Sequence, residues 1–151
     1  MLQTIIDVAE SVGIVAIVTN SKEQLETQLN RITRDEQDPI MLITWDITTN
    51  LNFDINGFLE NPSSKIFSLL LSKPEDTTKD EAEKVAVEMG SLFQVFLQAL
   101  YSTLAPLQRS STPAPITEAS YKLVPQHGAG KHSGVIGEWT MRTSVTNCTD
   151  G

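Results

Sequence analysis

From residue 82 to residue 104, the apolar side chains Ala82, Val85, Ala86, Met89, Leu92, Phe93, Phe96, Leu97, Leu100 and Leu104 recur at helical intervals, the strongest periodicity in the chain. Such a stripe is the buried face of an amphipathic helix, and a helix this long needs a broad floor to lie on. Thr78-Lys79-Asp80-Glu81 just ahead of it has the form of a capping box, with Asp80 and Glu81 where the helix dipole favours negative charge. The spacing predicts a long helix opening at Thr78 and lying across a sheet.

The strands of that sheet are read from apolar runs. Ile14-Val15-Ala16-Ile17-Val18, Ile40-Met41-Leu42-Ile43-Thr44-Trp45 and Lys65-Ile66-Phe67-Ser68-Leu69-Leu70-Leu71 have the length and composition of buried strands. Before the first, Leu2, Ile5, Ile6, Ala9 and Val12 predict a short helix ended by Gly13; after it, Ser21-Lys22-Glu23-Gln24 opens a capped helix bearing Leu25, Leu29 and Ile32. A strand–helix–strand run of this length is the form of a right-handed parallel crossover. Near the end, residues 116–124 read as a strand. Val135, Gly137, Trp139, Met141, Thr143 and Val145 then alternate with Ile136, Glu138, Thr140, Arg142 and Ser144, which predicts a half-buried strand antiparallel to it. The expected fold is α+β, a mixed and largely antiparallel sheet of about five strands packed against two or three helices, in one domain over residues 1–151. Extended loops are expected at 46–64, 105–115 and 125–134. With 151 residues, 40% of them hydrophobic, the chain can bury a core without a disulfide or metal.

Charge narrows the function classes. Eleven Lys and Arg against nineteen Asp and Glu leave a net charge of −8, and no basic run occurs anywhere. Nucleic-acid binding depends on neutralising phosphates, so DNA readout is not expected. The imbalance lies in residues 1–90, with 7 basic and 16 acidic side chains, while residues 91–151 carry 4 and 3. A near-neutral C-terminal part fits a surface that meets another protein, although a solvated acidic half is the plainer reading. Cys148 is the only cysteine, which precludes an intrachain disulfide. Without a signal-like N-terminus or a run of about 20 apolar residues, the expectation is a soluble protein made in a reducing cytoplasm, with no membrane partner.

Motifs for chemistry fail on inspection. The glycine loop at 128–134 has Pro125 where a Walker A motif needs its first glycine and His132 where it needs Ser or Thr. The dinucleotide fingerprint fails because the third glycine comes one position late and a strand follows. His127 and His132 are two ligands where zinc takes three or four, so solvent-exposed histidines are the simpler expectation. The carboxylate pairs Asp35/Glu36, Glu75/Asp76 and Asp80/Glu81 fall in turns or at a helix start. No nucleophile, base and orienter assemble, so neither enzymatic activity nor a cofactor or metal is expected.

The loop after residue 45 is more informative. It mixes Asn50, Asn52, Asn56, Gly57, Asn61 and Pro62 with Leu51, Phe53, Ile55, Phe58 and Leu59. Its apolar residues either dock on a partner or fold under the loop as a satellite cluster, the second being marginally the simpler expectation.

The order of elements and the ending Gly134-Val135-Ile136-Gly137-Glu138-Trp139-Thr140-Met141 through Asn147-Cys148 resemble small neck proteins of tailed bacteriophages, especially the head-to-tail ring and tail-terminator-like proteins of phages infecting Bacteroidetes. The likeness spans nearly the whole chain as a pattern of elements and reaches residue level at the ending. It implies a virion protein made in the host cytoplasm, assembling with itself into a ring that joins the portal or other neck proteins to tail proteins. DNA would pass through the channel without specific contact, kept off an acidic wall by its own charge. Assembly contacts would come from the loops, with Phe53, Ile55, Phe58, Leu59, Leu107, His127, Lys131 and His132 as candidates. Deleting residues 126–133 is expected to block assembly and barely change stability. The competing class is a small-molecule-binding domain or small enzyme with a pocket between sheet and long helix, for which His127, Lys131, His132 and Glu138 are the available polar groups.

Overall fold

The computed structural model of the chain describes residues 2–19, 39–44, 48–59, 62–72, 78–105, 114–127 and 132–142. The N-terminal stripe forms helix α1 (Leu2–Ser11), burying Ile5, Val8 and Ala9. The chain turns out of it through Gly13 at φ +84°, a left-handed backbone that glycine adopts without strain. Strands β1 (Val15–Thr19), β2 (Ile40–Thr44), β3 (Thr48–Asn50) and β4 (Ser63–Ser72) follow. Next comes helix α2 (Lys79–Leu104), and the hairpin β5 (Ile116–His127) and β6 (His132–Arg142) closes the sheet. Thr78 is the N-cap that the sequence predicts, accepting a hydrogen bond from the Glu81 backbone N–H at 3.3 Å.

The six strands make one sheet in the order β1-β2-β4-β6-β5, with β3 also paired to β4. Only β1 and β2 run parallel, as the crossover pattern predicts; β2/β4, β3/β4, β4/β6 and β5/β6 are antiparallel. The capped helix expected after Ser21 lies outside the described residues. Strands β2 and β3 pair successive halves of the ten-residue β4, Ile40 opposite Leu71 at one end and Asn50 opposite Ser63 at the other. Part of the expected loop 46–64 is therefore sheet. The expected loop 125–134 also contracts, because pairing continues to His127 opposite His132.

Both faces of the sheet are apolar at their centre. Alternation along β4 sends Ile66 and Leu70 to the face carrying α1 and α2, and Leu69 and Leu71 to the other, where they join Ile40 and Leu42. The helix face holds the larger cluster. Phe93 and Phe96 of α2 meet Trp139 of β6 with ring centroids 6.0 and 5.6 Å apart, and Tyr121 of β5 stands edge-on to Phe93 at 5.9 Å. Those separations fall in the favourable range for tilted and edge-to-face pairs. Gly137 makes room for them, since a Cβ there would lie 2.5 Å from Phe93 Cζ. The C-terminal half of α2 is thereby held against β5 and β6, and Gln94 Nε2 donates to the Tyr121 hydroxyl at 2.9 Å across its outer margin.

Candidate functional site

The β3–β4 stem carries an apolar hairpin. Thr48 opposes Lys65, Thr49 opposes Ser64, and the Thr49 and Ser64 hydroxyls lie 3.0 Å apart. Further out, Phe53 and Leu59 pair as an isolated antiparallel bridge. The turn between them is organised by Asp54. Its carboxylate accepts from the backbone N–H groups of Asn56 and Phe58, each at 2.9 Å; its N–H donates to Phe58 O at 2.8 Å; and its carbonyl accepts from Gly57 N at 3.0 Å. Gly57 takes φ +83°, which closes the turn at little cost for glycine.

With its backbone satisfied locally, the tip has no need to fold onto the core, and its side chains point to solvent. Leu51 is 59% exposed, Phe53 66%, Ile55 99%, Phe58 71% and Leu59 52%. This corrects the expectation of a satellite cluster beneath the loop. Five large apolar side chains displayed on one self-closed turn exceed the scattered exposure normal for a protein surface. The tip is also nearly uncharged, since Asp54 is the only ionisable residue between Asp46 and Glu60.

A second uncharged surface lies along α2. No charged residue occurs between Glu88 and Arg109, although the chain as a whole carries −8. Where this stretch of helix passes β5 there is a groove of about 340 Å³ lined by Gln94, Leu97, Gln98, Tyr101, Ile116 and Ala119. Its lining offers two carboxamides and one phenol around an apolar floor. The long uncharged run was the signal in the sequence for this surface, and the apolar periodicity of the same residues masked it. This groove answers to the pocket expected between sheet and helix, but of the expected polar groups neither His132 nor Glu138 lines it, and the His127 and Lys131 side chains lie outside the described residues.

The remaining candidates divide. His132 is fully buried, which corrects its expected place on an exposed loop: β6 begins at residue 132, and alternation turns this side chain onto the face of Leu69 and Leu71. It contributes to the interior and not to an exposed contact. His127 ends β5 with its backbone opposite His132, while its side chain lies outside the described residues, as do Lys131, Leu107 and Cys148. Deleting 126–133 would therefore remove paired backbone and the buried His132 and Ser133, so the expectation that it spares stability is also corrected. Glu138 pairs with Lys65 at 3.3 Å, both side chains about half exposed, an arrangement that adds little to stability. Asp80 and Glu81 occupy the first turn of α2, where the helix dipole accounts for them.

Among the described residues no helix is long and apolar enough to cross a membrane. No protein-family model matches the chain, and no curated protein matches its sequence.

Proposed function

We propose that this chain is a structural protein of the tailed-phage virion neck, a tail-terminator-like connector that forms a ring with copies of itself between portal and tail. The observation that carries the reading is the hairpin tip, whose Phe53, Ile55 and Phe58 are displayed to solvent on a turn stabilised by its own hydrogen bonds. A preorganised apolar knob costs little ordering entropy when it docks. Supporting it is the acidic balance of −8, which around a channel repels DNA from the wall.

Magnitudes favour many weak contacts over one strong one. Full burial of the three side chains is worth about 1.5–3 kcal/mol each, against roughly 4–15 kcal/mol for the freedom lost on association. One docked tip is then marginal. In a closed ring every copy makes two such contacts, and the last forms within the assembly. Neck proteins above and below, portal or tail, would add the rest.

Quantitative mass spectrometry of gradient-purified particles from the source tests this directly. The expected result is this polypeptide at a small fixed copy number relative to the capsid protein; its absence from clean particles would overturn the virion reading. The groove along α2 is where a small-molecule reading would place its ligand, and a metabolite that raised the melting temperature would favour that alternative.

A further inference from the structure

We propose that the hairpin tip docks into the groove between α2 and β5 of a second copy of this chain, so that contacts run head to tail. This inference deepens the ring reading and rests on it. Three observations point to the second copy as occupant.

The first is chemical match. The tip presents Phe53, Ile55 and Phe58, and the groove presents a floor of Leu97, Ile116 and Ala119 at about 340 Å³, a volume suited to one or two such side chains. The second is charge. Two copies of a −8 chain repel one another wherever their acidic surfaces meet, and tip and groove carry little of that penalty. Asp54 is the one carboxylate in the tip, exposed and accepting hydrogen bonds from the Asn56 and Phe58 backbone N–H groups. Depletion of charge at a contact centre is what a specific interface needs.

The third is placement. β3 pairs one side of β4 at Ser63–Lys65, β6 pairs the other side of the same residues, and β5 lies beyond β6 with Ile116 opposite Met141. Knob and socket thus lie at the same end of the sheet but on opposite flanks, carried by strands β3 and β5 that are about three strand spacings or ~14 Å apart. In the structure the tip is exposed, so it does not fill its own groove. Repeating one such contact uses a different patch on each side of every copy, which generates a closed ring or an open filament. A tip-to-tip contact would instead stop at a dimer.

The test uses complementary variants of the full chain. Ile55→Asp spoils the knob and leaves the socket; Ala119→Glu, or Gln98→Glu on the exposed helix surface, spoils the socket and leaves the knob. All three positions are exposed, so melting temperatures should stay within about 2 °C of wild type. In sedimentation velocity the wild type should form a discrete oligomer, and each variant alone should associate at least tenfold more weakly. An equimolar mixture of knob and socket variants keeps one intact contact, so at several hundred micromolar it should associate more than either variant alone and form nothing larger than a one-to-one heterodimer. Variants that assemble like wild type, or a mixture that at this concentration associates no more than either variant alone, would overturn the docking and leave the ring. A wild type monomeric at several hundred micromolar would also overturn it; finding that chain in particles at fixed copy number would show that the virion reading stands without it.

Discussion

Gly137 illustrates how one absent side chain organises the aromatic packing. A methyl group there would press on Phe93 Cζ and Cε2 at 2.5 and 2.6 Å, and Phe93 is fully buried between Phe96, Tyr121 and Trp139. Gly137→Ala should therefore cost about 1–3 kcal/mol through overpacking, lowering the melting temperature by roughly 2–4 °C for each kcal/mol. Gly90 gives the contrast. Its Cβ would meet Tyr121 Cε2 at 2.9 Å, but that ring is 41% exposed and can swing outward. Alanine also gains about 1 kcal/mol of helix propensity over glycine, so Gly90→Ala should be near neutral in the same thermal-unfolding experiment. At this scale the sequence was only partly readable. Gly137 showed itself as a member of the inward-facing alternation, but its reason, the ring of Phe93 from α2, is a contact between residues 44 positions apart. Gly134 is similar: the sequence puts it at the end of the loop expected over 125–134, whereas it lies within β6, where a Cβ would collide with Leu70 O on the neighbouring strand.

Among the elements, α2 was the most legible because its two signals agree, an apolar stripe and a cap. Thr78→Ala should remove the hydrogen bond to the Glu81 N–H and cost about 1 kcal/mol, visible as a small fall in melting temperature with assembly unchanged. Strand β4 was legible at its centre, where Ile66 to Leu71 supply both faces, and not at Ser63 and Ser64, whose places are set by pairing with β3 and β6. β3 itself escaped the reading because Thr48-Thr49-Asn50 is too short and polar to announce a strand; only β4 beside it makes it one. The hairpin beyond was visible as an apolar loop, but whether it folded inward or outward depended on Asp54 and Gly57 closing the turn locally. Those two residues are ordinary turn formers until the hydrogen bonds to Asn56 and Phe58 are known. The β5–β6 hairpin was misjudged for a related reason: the glycines after His127 looked like a long loop, and strand pairing runs almost to them.

For the molecule as a whole, the balance of charge sets how assembly should respond to solvent. If copies meet through uncharged surfaces while their remaining surfaces carry −8 each, salt screens the repulsion and leaves the contact untouched. Oligomer formation should then strengthen between about 20 mM and 500 mM salt, where the Debye length shrinks from tens of ångströms to a few. An interface built on ion pairs would weaken over the same range, so sedimentation at the two ionic strengths separates the two cases. The same balance was plain in the composition, whereas the uncharged run from Met89 onward was hidden beneath the apolar periodicity of the same residues. What the sequence did not reveal was that tip and groove face opposite flanks of one sheet, because that follows from the strand order β1-β2-β4-β6-β5.

That order also has a consequence for how the protein is made. Ile66 of β4 must wait for Trp139 of β6, so at about 5–20 residues per second the growing chain leaves this edge without its partner for roughly 4–15 s. The knob, built from residues 48–65, leaves the ribosome early, whereas the socket needs Ile116 and Ala119 and is finished late. If the tip docks as proposed, neighbouring nascent chains on one messenger offer tips before their own sockets can accept one, and each copy joins a ring as an acceptor only once it is finished.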